Sequence, residues 1–190
     1  MRCSGGLTLF GVGISLVVRA RLGLAPWDVF HQGLSEHLNI PIGTTIILTS
    51  LFVMLLWIPL DQPVGLGTIL NAIQIGLTVN IVLPLIPEVH HMVVRILLMC
   101  GGIGIVAIAS GLYIGSGLGP GPRDGLMMGL NIKGFRISRA RTLIEISVLI
   151  IGFALGGQAG VGTVLFAIGI GPLVARTLPL LTMSNPKMNI

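Results

Sequence analysis

Two short segments of this sequence each place an aspartate in the same local setting. The first opens with Pro26-Trp-Asp28 and the second with Pro122-Arg-Asp124. Proline suits the first turn of a helix, where its missing N–H has no intrahelical partner. A carboxylate in that turn is stabilised by the positive end of the helix dipole. Both segments are therefore predicted to be helices, and Asp28 and Asp124 are candidate substrate-binding residues.

The first of these segments, Pro26–Leu38, is amphipathic and about half the length needed to cross a bilayer. Its polar face includes Asp28 and His31, both candidates for substrate binding, and its apolar face includes Trp27. One interpretation is a helix lying flat at the membrane interface. The other is a re-entrant half-helix whose N-terminus points at a central cavity.

The second segment, residues 122–132, carries Arg123 where the first has Trp27. An arginine beside a helix N-terminus could bind an anion and is a candidate binding residue. It could equally pair with Asp124 or with a phospholipid headgroup. Three glycines that recur every four residues in this region favour close contact with another helix; they are Gly121, Gly125 and Gly129.

Three more polar residues fall inside apolar runs and are candidate binding residues. Glu145 would be a proton or cation site facing the interface between the two halves of the chain, since intramembrane carboxylates are costly and usually functional. Alternatively, it pairs with Arg141, one turn earlier. Asn71 and Gln74 share a helix face, where they either line a substrate cavity or form hydrogen bonds between helices.

The solvent around most of this chain must be lipid. The sequence is 53% hydrophobic and 9% charged, whereas soluble domains carry about 25% charged residues. Its net charge of +5 comes from basic residues at the ends of apolar runs. This placement excludes a surface that binds nucleic acid. Basic residues at the ends of spans instead orient the chain in the bilayer. No catalytic, cofactor or metal motif is present, and we expect no enzyme. Cys3 and Cys100 are expected to be small buried residues.

Six apolar runs are candidates for membrane spans of roughly 20 residues. They are Ser4–Val18, Ile42–Leu60, Leu66–Ile86, Met92–Ile114, Thr142–Leu155 and Val161–Leu181. The sequence therefore predicts an all-α fold, a polytopic membrane helix bundle with about six spans and two short interfacial or re-entrant helices.

The turn residues repeat along the chain at an offset of about 96 residues, which indicates an internal duplication. Arg21-Leu-Gly-Leu-Ala-Pro-Trp-Asp28 aligns with Gly117-Leu-Gly-Pro-Gly-Pro-Arg-Asp124, and Gly65-Leu-Gly-Thr68 aligns with Gly160-Val-Gly-Thr163. The repeat units are residues 1–87 and 92–183 of a single transmembrane domain, and residues 184–190 form a tail.

Three spans per unit imply that the second unit enters the membrane from the opposite side, as in the inverted repeats of transporters. The loop after the fourth span is rich in Lys and Arg, while its counterpart between Leu22 and Pro41 has none. Under the positive-inside rule, this difference places both termini in the cytoplasm. The alternative is a parallel repeat with four spans per unit, but Pro26–Leu38 is too short to cross roughly 30 Å of hydrocarbon.

These motifs resemble the YczE-like integral membrane proteins of bacteria, which are related to the YitT-like group. The similarity rests on the aligned segments ending at Asp28 and Asp124, on the Gly-x-Gly-Thr turns and on Ile170-Gly-Pro-Leu173. The resemblance implies a multi-pass protein of the bacterial plasma membrane, and it implies no substrate or activity.

The inverted repeat and the intramembrane polar residues favour a small transporter or permease for an unknown small molecule or ion, with its site between the units. Two alternatives are a substrate-binding component of a larger uptake complex and a scaffold that transports nothing. Besides the lipid bilayer, a second copy of the chain or another membrane protein is an open choice of partner.

Overall fold

The computed structural model describes residues 2–181, and these form a bundle of α-helices with one 3₁₀ turn at Ile58–Leu60. The tail predicted at residues 184–190 lies outside the described residues. The helices are α1 Arg2–Ala20, α2 Pro26–Leu38, α3 Ile42–Leu55, α4 Leu66–Leu85, α5 Met92–Ile114, α6 Pro122–Ile132, α7 Ile137–Ala154 and α8 Val161–Leu181.

Helices α1 and α5 form the centre of the bundle, with α4 packed on α1 and α8 packed on α5. Glycine allows this close packing, since a Cβ on Gly13 would overlap the side chain of Val106. A Cβ on Gly102 would likewise overlap Val17. Small residues let helix backbones approach closely enough for dispersion forces to hold them together in lipid.

The two short helices have the bounds predicted from their sequence, Pro26–Leu38 and Pro122–Ile132. Asn39 ends α2 in the left-handed conformation (φ 54°), and its N–H donates to the carbonyl of Ser35. The chain then turns by 111° into α3. Helix α2 packs on α7 and α3, and α6 packs on α3 and α7, so both short helices lie within the bundle rather than apart from it.

The loop before each short helix is held by the turn that begins a helix of the other half. The N–H of Gly67 donates to the carbonyl of Leu118 at 2.9 Å, and the N–H of Gly162 donates to that of Leu22 at 2.7 Å. Gly23 in the first loop and Gly119 in the second have φ of 114° and 121°, a conformation that favours glycine. These contacts fix where α2 and α6 begin.

Four of the described helices, α1, α4, α5 and α8, are long and apolar enough to cross a membrane, or five spans if α2 and α3 count together. This agrees with a helical membrane bundle but is fewer than the six spans expected. Helix α3 ends at Leu55 rather than Leu60, because Pro59 cannot continue a helix. Helix α7 begins at Ile137, earlier than the predicted Thr142, and so includes charged residues.

The cysteines are not alike. Both are free thiols, and Cys3 is buried as predicted, but Cys100 is exposed. The expectation was wrong for Cys100 because the outward face of a helix in lipid accepts the same small apolar side chains as a protein core.

Candidate functional site

A cavity of about 550 Å³ lies where the N-termini of α2 and α6 meet near the centre of the bundle. This volume is within the range of roughly 300–1,000 Å³ typical of small-molecule sites. Its wall combines apolar side chains from α1, α3, α4, α5 and α8 with a small set of charged groups. That combination is typical of sites that bind and orient a small ligand.

Most of the residues that line the cavity form pairs, whose two members occupy equivalent positions in the aligned halves of the sequence. Members of a pair lie 96 residues apart up to Asp28 and 95 residues apart from Ile46 on. The pairs include Phe10 with Val106, Ile14 with Ser110, Pro26 with Pro122, Trp27 with Arg123, Asp28 with Asp124, Ile46 with Arg141, Ser50 with Glu145, Asn71 with Phe166, and Ile75 with Ile170. The remaining lining residues belong to the second half, among them Tyr113, Met127, Gly171 and Val174. Both halves therefore build the cavity, and the second half contributes more of it.

One charged group in the cavity joins the two short helices. The Arg123 guanidinium lies 3.5 Å from the Asp28 carboxylate and 5.0 Å from the centre of the Trp27 ring. The Asp28 side chain is 4% exposed. A buried carboxylate requires a charged or hydrogen-bonding partner, and an arginine over an aromatic face gains further attraction from the ring.

His31 lies behind Asp28 and does not line the cavity. Its Nδ1 is 3.3 Å from the Asp28 carboxylate, and its side chain is buried. Helical spacing of three residues brings the two together. The structure therefore places His31 as a support for Asp28 rather than as a residue that a ligand in the cavity would touch.

The second aspartate is in a different environment. Asp124 is exposed to the cavity and accepts a hydrogen bond from the Tyr113 hydroxyl at 2.8 Å. Within residues 2–181, no nitrogen of a basic side chain lies within 4.0 Å of its carboxylate. Asp124 thus has a neutral hydrogen-bond donor where Asp28 has a cation.

A second ion pair lines the cavity on α7. The Arg141 Nε donates to the Glu145 carboxylate at 3.0 Å, and these side chains are 56% and 32% exposed. The C-terminal part of α8, including Gly171 and Val174, lies on the same cavity. Glu145 therefore pairs with Arg141, as one interpretation predicts, and it also lines the cavity between the halves.

The sequence-predicted site residues divide into two groups. The cavity brings together five of them, and these are Asp28, Asn71, Arg123, Asp124 and Glu145. Gln74 lies away from it, because its amide donates to the backbone and hydroxyl of Ser4 and to the hydroxyl of Thr8 on α1. Gln74 therefore forms hydrogen bonds between helices, the alternative considered for it above.

Sequence reasoning missed two residues that shape the site. Tyr113, the single tyrosine of the chain, donates to Asp124. Trp57 is fully buried against Gly125, and its indole N–H donates to the carbonyl of Pro122 at 3.1 Å. The available signal was that Tyr113 and Trp57 carry hydrogen-bonding groups in apolar runs, where such groups need a partner.

Helices α3 and α4, which both line the cavity, pack against each other, whereas in the described part of the chain α7 and α8, which also line it, have no comparable packing. Helices α3 and α4 pack so closely at Gly43 and Gly76 that a Cβ on either would overlap the other's carbonyl, and the Asn80 amide donates to the Thr44 hydroxyl at 3.0 Å. Helix α7 packs on α2 and α6 instead of α8. Around Gly171, equivalent to Gly76, no atom of another described helix lies within 4 Å of where its Cβ would be.

Comparison with known proteins places the chain in a family. Residues 3–178 match the model of a family of unknown function, DUF6198. An uncharacterized protein of Haemophilus influenzae is 41% identical over 88% of this chain and 78% of its own length. The uncharacterized membrane protein YczE of Bacillus subtilis is 31% identical over 92% of this chain and 82% of its own length. No solved structure matches the chain. The chain therefore belongs to family DUF6198 and is a membrane protein of the YczE-like type.

Proposed function

We propose that this protein transports a small molecule or ion, with its binding site in the cavity between two inverted repeat units. The observation that carries the proposal is that equivalent positions of both halves line one cavity, at which α3 packs against α4 but α7 has no comparable packing on α8. In this proposal the cavity opens between α7 and α8. Transporters built from inverted repeats bind their substrates at this interface, and they alternate access by moving one unit against the other.

Reciprocal contacts support the repeat itself. The loop-to-turn hydrogen bonds from Gly67 to Leu118 and from Gly162 to Leu22 exchange equivalent residues between the units. The packing of α4 on α1 is likewise repeated by that of α8 on α5. In this proposal α1, α3, α4, α5, α7 and α8 are the six spans, and α2 and α6 enter the membrane only as far as the central cavity.

The distribution of charge gives the orientation. The open side of the cavity lies near the N-terminal end of α7 and the C-terminal end of α8, where Arg136, Arg139 and Arg176 occur. Under the positive-inside rule this side faces the cytoplasm. The protein would then lie in the bacterial inner membrane with both termini cytoplasmic, in a state open to the inside.

A transporter must also reach the opposite state, in which α7 closes on α8 and α3 leaves α4. The chain has suitable residues for this, because Ser138 and Gly171 are small and occupy the positions equivalent to Gly43 and Gly76. Similarly, Arg139 and Ala175 are equivalent to Thr44 and Asn80. The small residues Ser138 and Gly171 permit the close helix contact that closure requires.

Paired cysteines test the alternation directly. In a background in which Cys3 and Cys100 are replaced, one variant would carry T44C with N80C, which are in contact here. The matched variant would carry R139C with A175C, on helices that are apart here. Oxidation of the protein in membrane vesicles, followed by maleimide labelling of the remaining thiols, measures disulfide formation in each pair.

A transporter is expected to form both disulfides, and in a variant carrying all four cysteines one disulfide should exclude the other. A protein that forms only the T44C–N80C disulfide does not alternate. That result would overturn the proposal in favour of a static binding component or scaffold.

A further inference from the structure

We infer that the ligand of the cavity is an organic cation, bound by the carboxylate of Asp124. This deepens the proposed function by naming the class of ligand, and it rests on the same cavity. The cavity is lined by three carboxylates and two guanidinium groups. Two of the carboxylates are already paired, Asp28 with Arg123 and Glu145 with Arg141.

The excess negative charge therefore belongs to Asp124. Its one hydrogen-bond donor is the neutral hydroxyl of Tyr113, which leaves the charge uncompensated within the described part of the chain. A carboxylate has room for several hydrogen bonds. A cation that enters the cavity can thus bind Asp124 without displacing a residue that already neutralises it.

The relation between the two halves shows where such a cation belongs. Asp28 of the first unit contacts Arg123 of the second. The equivalent contact of Asp124 would be made by the residue equivalent to Arg123, which is Trp27. Tryptophan supplies no charge, so the position beside Asp124 lacks the cation that its counterpart has. The ligand would provide it.

The surrounding wall suits a cation with an organic body. Aromatic side chains from four helices line the cavity, and these are Phe10, Trp27, Tyr113 and Phe166. Phe10 and Tyr113 meet edge to face with ring centres 6.4 Å apart. Aromatic faces attract cations, and the cavity already shows this preference where the guanidinium of Arg123 lies over Trp27.

The cavity offers fewer unpaired groups to an anionic ligand than to a cationic one. Helix N-termini attract anions through free N–H groups, but in the first turn of α2 the N–H groups of Asp28 and Val29 already donate to the carbonyl of Ala25. Each short helix also has its own aspartate at this end. A free guanidinium attracts anions, but that of Arg123 is paired with the carboxylate of Asp28.

Three probes of similar size but different charge test the inference. They are benzylamine, which is a cation at neutral pH, benzyl alcohol, which is neutral, and benzoate, which is an anion. Binding to the full-length protein in detergent can be measured by isothermal titration calorimetry. A matched pair of variants completes the design, D124N in the cavity and D61N at the exposed ion pair of Asp61 with Lys133 outside it.

Of the three probes, benzylamine should bind the wild type and D61N most tightly. The D124N substitution should weaken the binding of benzylamine about tenfold or more, as expected for the loss of a charge-assisted hydrogen bond. Benzyl alcohol should bind D124N and the wild type alike, which shows that the cavity is intact. D124E should restore the preference for the cation. Equal binding of the three probes, stronger binding of benzoate, or full retention by D124N would overturn the inference.

These outcomes are independent of the transport proposal. If the protein binds cations through Asp124 but does not alternate, the inferred ligand class is supported and the transport proposal is overturned. Alternation together with a preference for benzoate would do the reverse.

Discussion

The guanidinium of Arg123 lies 3.5 Å from the carboxylate of Asp28 and links the N-termini of α2 and α6 across the centre of the bundle. Arg123 is 28% exposed at its side chain, whereas Asp28 is 4% exposed. The energetic consequences of separating the pair are therefore unequal. Loss of the arginine leaves a buried charge, while loss of the aspartate leaves an arginine that can still reach the cavity.

Arg123→Gln is expected to destabilise the protein by about 2 kcal/mol, because it leaves the charge of Asp28 buried without its cation. The same change combined with Asp28→Asn removes the buried charge and should recover most of that loss. Thermal unfolding in detergent measures both, and the destabilised variant should melt several degrees lower. Additive effects of the two substitutions would show that the residues do not interact.

Gly76 and Gly171 occupy equivalent positions in α4 and α8 but should respond differently to alanine. A Cβ on Gly76 would overlap the carbonyl of Gly43, while among residues 2–181 no other helix comes within 4 Å of a Cβ on Gly171. Overpacking costs roughly 1–3 kcal/mol, so Gly76→Ala should lower the melting temperature and Gly171→Ala should leave it unchanged. The pair serves as its own control, and equal effects would contradict the difference in packing between the halves.

Local signals in the sequence were enough to place the short helices. Each helix begins with a proline, Pro26 or Pro122, and has an aspartate in its first turn, Asp28 or Asp124. The structure has the bounds that these residues predict. The short helices carry three of the five candidate residues that line the cavity, and these are Asp28, Arg123 and Asp124. The C-terminal end of α2 depends on a different feature. Asn39 ends the helix in the left-handed conformation, which few residues other than glycine adopt.

Contacts between distant segments could not be predicted in the same way. The sequence allows Arg123 to bind an anion, to pair with Asp124 or to contact a phospholipid headgroup, yet its partner in the structure is Asp28 of the other half. Helical periodicity shows which residues share a face, but it gives no distance between two helices. For the same reason the hydrogen bond from Tyr113 to Asp124 was missed, and so was the difference between the closed α3–α4 contact and the separated α7 and α8.

The orientation of the repeat predicts which residues are reached from each side of the membrane. His37 at the end of α2 and Lys133 at the end of α6 are equivalent and exposed. In the inverted arrangement, a cysteine at position 37 should react with a membrane-impermeant maleimide in intact cells. A cysteine at position 133 should react only after the cells are permeabilised. Reaction of both from one side would indicate a parallel repeat instead.

Glu145 is expected to matter little for stability. Its pair with Arg141 is partly exposed, at 32% and 56% of the two side chains, and pairs of this spacing contribute roughly 0.3–0.5 kcal/mol. Glu145→Gln should therefore leave the melting temperature nearly unchanged, as should the same change combined with Arg141→Gln. If the carboxylate takes part in transport, the single substitution will nevertheless abolish the dependence of transport on its ligand or on protons. Unaltered transport by a stable Glu145→Gln protein would show instead that the carboxylate only pairs with Arg141 at the open side of the cavity.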